Sequence, residues 1–247
     1  PLVAIAKTLD KDPIMVMWDP AQYDVQKPED LATTGASFIH FAGLAYIDYF
    51  IEKGFITADQ SDPSYNGSDA AWVAASGKLL QQGFATNEIY KYENDIPWKD
   101  GAPSDVSFFT VGQLGYDNYP SSITMLQSRV TELDACLKLF IPKLAQAWVD
   151  YYNDPTPVTD KMIEINNTYD GFWRLSPELN TFGLNYLKNL KSAPTVQTVP
   201  TVHLMKPRCK SCTTFCNQFT RPKVLKSPTM SQLCTTTLIV RVHRVVD

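Results

Sequence analysis

The first 191 residues hold little of what catalysis commonly uses. They carry one histidine, His40, one cysteine, Cys136, and two arginines, Arg129 and Arg174. No Gly-x-Ser-x-Gly elbow, phosphate loop or His-Glu-x-x-His pair is present. One cysteine cannot make a disulfide framework, so cysteine usage does not fix a redox compartment for this part. Cys136 falls among apolar residues at helical spacing, which reads as a buried core thiol rather than a nucleophile. His40 has no visible catalytic partner, so a satisfied or exposed histidine is the stronger reading. No run approaches the roughly 18 consecutive apolar residues of a membrane span. A start Met and a signal peptide are also missing. The chain opens at Pro1 inside the apolar run Pro1–Ala6, and the expectation is that an N-terminal portion has been lost.

What is present divides in two. The net charge of −4 conceals 14 basic against 25 acidic residues in 1–191, and 8 basic against Asp247 alone in 192–247. Aromatics make up 12% of the chain, many in polar company, which suits a ligand cleft. In 1–191, strand patterns at Val3–Ala6, Ile14–Met17, Ser37–Phe41, Leu79–Gln82, Ser107–Val111 and Ser122–Leu126 alternate with helical patterns. The helices are expected near 43–53, 68–77, 129–152, 157–169 and 177–190. The longest shows one apolar stripe, Leu133, Cys136, Leu137, Phe140, Ile141, Leu144 and Trp148. Alternation of this kind predicts an α/β fold with a mostly parallel sheet.

In such a sheet, ligands bind where strands end at the carboxyl edge. Four aromatic-polar loops follow strand patterns. Phe41-Ala-Gly-Leu-Ala-Tyr46 opens a helix whose first N–H groups can meet a ligand oxygen. Tyr65-Asn-Gly-Ser-Asp69 precedes another helix, where Ser68 or Asp69 serves equally well as a cap. Gly83–Tyr90 and Gly112–Tyr119 complete the set, and together they predict a cleft lined by Tyr65, Phe84, Tyr116 and Tyr119. Asn66-Gly-Ser68 and Asn166-Asn-Thr168 match glycosylation sequons, a pattern short enough to arise by chance.

The order of Met17-Trp-Asp-Pro20, Lys27–Leu31, Tyr65–Ser68, Gln81-Gln-Gly-Phe-Ala-Thr-Asn-Glu88, Tyr90-Lys-Tyr-Glu93 and Leu133–Leu137 resembles a known family. It is similar to ABC-transporter substrate-binding proteins of the nitrate/sulfonate/taurine and thiamine-pyrimidine-precursor class. The resemblance covers about residues 1–190. It implies a two-lobed type II periplasmic-binding-protein fold with an incomplete first lobe. Residues 1–26 and 106–190 would be the partial first lobe, and 27–105 the second. It also implies that Phe41, Gly43, Tyr46, Tyr65, Asn66, Gly83, Phe84, Thr86, Glu88 and Tyr116 face the ligand. Ile89 departs from the family, which often has Pro there.

The function so implied is an extracytoplasmic solute receptor, without catalysis, cofactor or metal. Its partners would be a small organic ligand, an ABC permease and its ATPase, with no nucleic acid. Membrane attachment would come only through a lost lipid anchor or the permease. The scarcity of arginine argues against a strongly dianionic ligand. The alternative is an enzyme of the thiamine-pyrimidine-synthesis type on the same fold, which would need reactive His or Cys residues in the cleft.

Residues 191–247 are basic and hold Cys209, Cys212, Cys216 and Cys234. A zinc site is the weaker reading, because the spacing fits no common four-ligand framework closely. A disulfide-stapled extension is an equally weak reading, and a basic, Cys-rich tail binding metal or nucleic acid is a third. The preferred expectation is a frame shift near residues 188–193. Re-read in the shifted frame, Thr195–Val202 can encode NGPDGTYG, and Met205–Cys212 can encode DEAKVQEL, a good helix start.

Overall fold

A computed structural model describes residues 2–118, 120–170 and 174–190. The fold is mixed α/β. The chain divides into two compact units. Among the described residues, the smaller comprises 2–12, 117–118, 120–170, 174–177 and 188–190, and the larger comprises 13–116 and 178–187. The units meet in sequence at 12/13 and 116/117, and the strands at 14–18 and 107–110 pair within the larger unit's sheet. The expectations for residues 191–247 lie outside the described residues.

The larger unit is built on five strands: β2 (Ile14–Trp18), β3 (Phe38–Ile39), β4 (Ser61–Asp62), β5 (Leu80–Phe84) and β6 (Ser107–Thr110), in the order β4-β3-β5-β2-β6. β3 runs parallel to β4 and to β5, whereas β2 runs antiparallel to both β5 and β6. Four strands therefore point one way and only β2 opposes them. All five residues of β2 are buried, as a strand covered on both faces requires. Its alternation sorts the core into two layers. Ile14, Val16 and Trp18 join Phe38, Leu80, Tyr46, Tyr49 and Phe50 on one face. Met15 and Met17 join Ile39, Tyr65, Trp72, Ile89, Tyr92 and Trp98 on the other.

Helix α2 (Ala45–Lys53) follows β3; α1 (Asp30–Thr33) precedes it. α2 buries Tyr46, Ile47, Tyr49 and Phe50, a single stripe at three- and four-residue spacing. It stops at Gly54, whose φ of +72° suits a residue without a Cβ. Helices α3 (Ala70–Ala75) and α4 (Glu88–Tyr90) follow β4 and β5, and a wide π-type turn continues through Lys91–Asp95. Helix α8 (Pro177–Asn189) lends residues 178–187 to this unit. Its Phe182 and Tyr186 pack on the Tyr65–Trp72 layer, and Gly183 lies so near the Thr86 carbonyl that a Cβ would sit 2.8 Å from that oxygen.

In the smaller unit, β1 (Leu2–Lys7) pairs antiparallel with β7 (Ser122–Leu126). Helices α5 (Gln127–Glu132), α6 (Asp134–Asn153) and α7 (Thr156–Thr168) follow. The apolar stripe of α6 is only partly covered. Ile141 is buried, while Leu133, Leu137, Leu144 and Trp148 are half-buried. Cys136 is exposed, which corrects the reading of it as core. Cys136 and Phe140 each sit one residue before Leu137 and Ile141, about 100° around the helix and off the covered stripe. Val158, Met162, Ile165 and Tyr169 are exposed along and just beyond α7.

Candidate functional site

Because β3, β4, β5 and β6 point the same way, the loops leaving their carboxyl ends emerge at one edge of the sheet. These are the loops opening at His40, Pro63, Ala85 and Val111. They are tied together rather than merely adjacent. Phe41 N–H donates to Gln82 Oε1 at 2.9 Å, joining the β3 loop to β5. Tyr65 N–H donates to the His40 carbonyl at 3.2 Å, and the Phe41 and Tyr65 rings meet at 4.8 Å. Tyr65 Oη donates to Glu88 Oε1 at 3.4 Å, while Glu88 Oε2 accepts the Phe84 N–H at 2.6 Å. The fourth loop is held from the other face. Tyr116 N–H closes on the Val111 carbonyl at 2.9 Å. The Tyr116 ring lies 6.1 Å from Tyr46 and 5.5 Å from Tyr49.

The sheet divides the aromatic set expected to line one cleft. Tyr46, Phe84 and Tyr116 pack into the Phe38–Phe50 layer, and Phe41 and Tyr65 into the opposite layer. Alternation along β3 and β5 sends Phe41 and Phe84 to opposite faces, and Tyr46 is carried to its layer by α2. Tyr46 and Tyr65 are buried, so as placed they are core side chains that shape the edge from beneath. Gly83 is buried too: a Cβ there would lie 3.0 Å from Met15 Cε and 3.1 Å from Glu88 Cγ. The surface of the edge is made by Ala42, Gly43, Ala45, Ser64 and Asn66, with Phe41, Phe84, Thr86 and Tyr116 half-buried behind them. Gly43 adopts φ +75° with open space about its Cα, and Leu44 starts α2 without a side-chain cap. Asn66 Oδ1 accepts the Ser68 N–H at 2.9 Å, and Ser68 Oγ accepts the Ala70 N–H at 3.1 Å. Ser68 thus caps α3, and Asp69 makes no side-chain cap bond. Tyr119 lies outside the described residues.

Glu88 is the electrostatic centre of this edge and only 3% exposed. Burial holds its carboxyl above the usual glutamate range, against the opposing pull of the Phe84 N–H. The Tyr65 hydroxyl is pushed up by its own burial and then by the neighbouring Glu88 charge. Tyr92 is raised by burial, and the Gln81 amide donated to its oxygen at 3.0 Å offsets part of that. Glu88 therefore joins two loops from inside and does not stand on the surface as a ligand contact.

His40 is likewise engaged. It is buried, with Nδ1 2.9 Å from the Phe41 carbonyl and Nε2 2.8 Å from Ser61 Oγ. A carbonyl only accepts, so Nδ1 carries a proton and donates it; the Ser61 hydroxyl can then donate to Nε2. Gln82 was not among the expected site residues, yet it pins the start of the Phe41 loop. A buried glutamine inside an apolar strand was the available signal, because such an amide needs a partner. Among the described residues no group of three or more His, Cys, Asp or Glu side chains is placed to hold a metal. No helix among them is long and apolar enough to cross a membrane. Compared with known proteins, the chain matches no family and no curated sequence.

Proposed function

We propose that this chain is the extracytoplasmic solute-binding component of an ABC importer, taking a small organic ligand and delivering it to a permease. In this reading the fold is the two-lobed type II periplasmic-binding kind. The larger unit supplies one ligand-facing edge, and its partner lobe contains the β1–β7 sheet. One observation carries the proposal. Four loops leave parallel strands at a single sheet edge; three are cross-tied by Phe41–Gln82, Phe41–Tyr65 and Tyr65–Glu88, and the fourth packs through Tyr116 on Tyr46 and Tyr49. Such a rim is pre-formed, so little conformational entropy is lost when a ligand settles on it.

Within the rim the roles divide by exposure. The start of α2, at Gly43 and Ala45, offers backbone N–H groups to a ligand oxygen. Phe41, Phe84, Asn66, Thr86 and Tyr116 supply partly exposed aromatic and polar surface. Tyr46, Tyr65, Gly83 and Glu88 hold those groups in place from below. No lysine or arginine stands on these loops, which suits a neutral, zwitterionic or heteroaromatic ligand. The enzyme alternative draws no support from His40, since both ring nitrogens are already used.

The test is a thermal-shift screen of the whole chain against pyrimidines, amines, amino acids and sulfonates. A compound that binds only the folded state raises the melting temperature in proportion to RT ln(1 + [L]/Kd). The proposal expects dose-dependent stabilisation by a neutral, zwitterionic or heteroaromatic compound. Stabilisation by dianions alone contradicts the ligand class, and no stabilisation by any class contradicts the receptor role.

A further inference from the structure

We propose that Asn66 deamidates spontaneously through a succinimide, making the β4–α3 loop a built-in site of irreversible chemical modification. Asn66-Gly67 is the single Asn-Gly pair in the chain. Three features of the loop favour the reaction. Asn66 is exposed, so water reaches its side-chain amide. Gly67 is buried, but it sits at φ +91° and has no Cβ, so no side chain of its own stands between its nitrogen and the Asn66 amide. That nitrogen makes no hydrogen bond among the described residues. In addition, the Ser68 N–H donates to Asn66 Oδ1 at 2.9 Å, drawing electron density from the carbon under attack. The other asparagines differ. Asn166 and Asn167 lie inside α7, where the N–H of the following residue belongs to the helix. Asn153 and Asn94 are each followed by Asp, whose side chain crowds the nitrogen.

The step balances without any added reagent except water. The Gly67 nitrogen loses its proton and bonds to Asn66 Cγ. The Cγ–Nδ2 bond then breaks and ammonia leaves, giving a five-membered succinimide. Water opens that ring at either carbonyl, leaving aspartate or isoaspartate at position 66. Either product adds a negative charge, and isoaspartate also reroutes the backbone through the side chain. The functional consequence rests on the ligand reading above: a new charge appears beside Ala42, Gly43, Ala45 and Ser64, exposed residues that carry none. The chemistry itself does not depend on that reading.

The experiment ages the purified full chain at neutral and mildly alkaline pH and maps isoaspartate by peptide mass spectrometry and isoaspartyl methyl transfer. The peptide containing residue 66 is expected to convert about tenfold faster than those containing Asn94 and Asn153, because no Cβ shields the attacking nitrogen. Asn66→Gln should abolish the signal in that peptide, and Gly67→Ala should slow it. Conversion at Asn66 no faster than at Asn153 overturns the proposal, as does a signal that persists in the Gln variant. Because the readout needs no ligand, its failure is distinct from failure of the receptor reading.

Discussion

Replacing Glu88 separates two contributions that its buried carboxyl makes. Glu88→Ala removes the acceptor for the Phe84 N–H at 2.6 Å and the weaker partner of Tyr65 Oη at 3.4 Å. A buried donor left without an acceptor costs about 1–3 kcal/mol, and the longer Tyr65 contact adds little. With the lost side-chain packing, the expected destabilisation is about 2–4 kcal/mol. Glu88→Gln keeps a carbonyl oxygen for Phe84 and never ionises, so its cost should stay below about 1 kcal/mol. The two proteins should also differ in pH response. Burial raises the folded carboxyl above its unfolded value, so the folded chain binds that proton more tightly. The resulting stability is fully present below the unfolded pKa of about 4.3 and is lost as pH rises through the folded pKa. The Gln variant lacks this decline. Urea unfolding followed by tryptophan fluorescence reads it out, since Trp72 and Trp98 pack in the same layer as Tyr65. If Gln costs as much as Ala, or if wild type and Gln show the same pH profile, the carboxyl is not held as described.

Other substitutions probe the frame around the site. Gly77→Ala would place a Cβ 2.4 Å from the Trp98 ring at a φ of +71° and should cost about 2–4 kcal/mol by urea denaturation. Lys99→Met removes the cation 2.5 Å from Asp19 Oδ2, whose side chain is nearly buried. It should cost about 2–3 kcal/mol, and the double change Asp19→Asn with Lys99→Met should recover much of that. Cys136 is exposed, so a thiol reagent should alkylate its peptide fully in the native protein, as mass mapping can show. Protection of that thiol until denaturant is added would restore the core reading.

Much of the framework was legible because its signals are local. The patterns at 14–17, 79–82, 107–111 and 122–126 became strands within two residues of their expected ends. The helix expected at 43–53 formed at 45–53, bounded by Gly43 and Gly54. β4 was missed because Ser61–Asp62 is two polar residues held only by pairing to Phe38 and Ile39. The wide turn after α4 left no periodic signature in Lys91–Asp95. The common edge of the four loops followed from strand direction, which alternating strands and helices imply. What sequence could not give was the face each side chain takes. Alternation carried on from β3 decides which core layer Phe41 meets, whereas Tyr46 takes its layer from its place on α2. Glu88, which the resemblance set facing the ligand, is buried under Tyr65, a contact that nothing nearby in sequence reveals. Cys136 read as buried because helical periodicity gives a stripe without saying how wide a neighbour covers it.

Amide chemical-shift mapping of the full chain during titration with a thermal-shift hit tests the shared edge most directly. The account predicts that a single ligand shifts Gly43, Asn66 and Thr86 together, saturating with one dissociation constant. Shifts confined to one of those loops, or concentrated on α6 and α7, would contradict it.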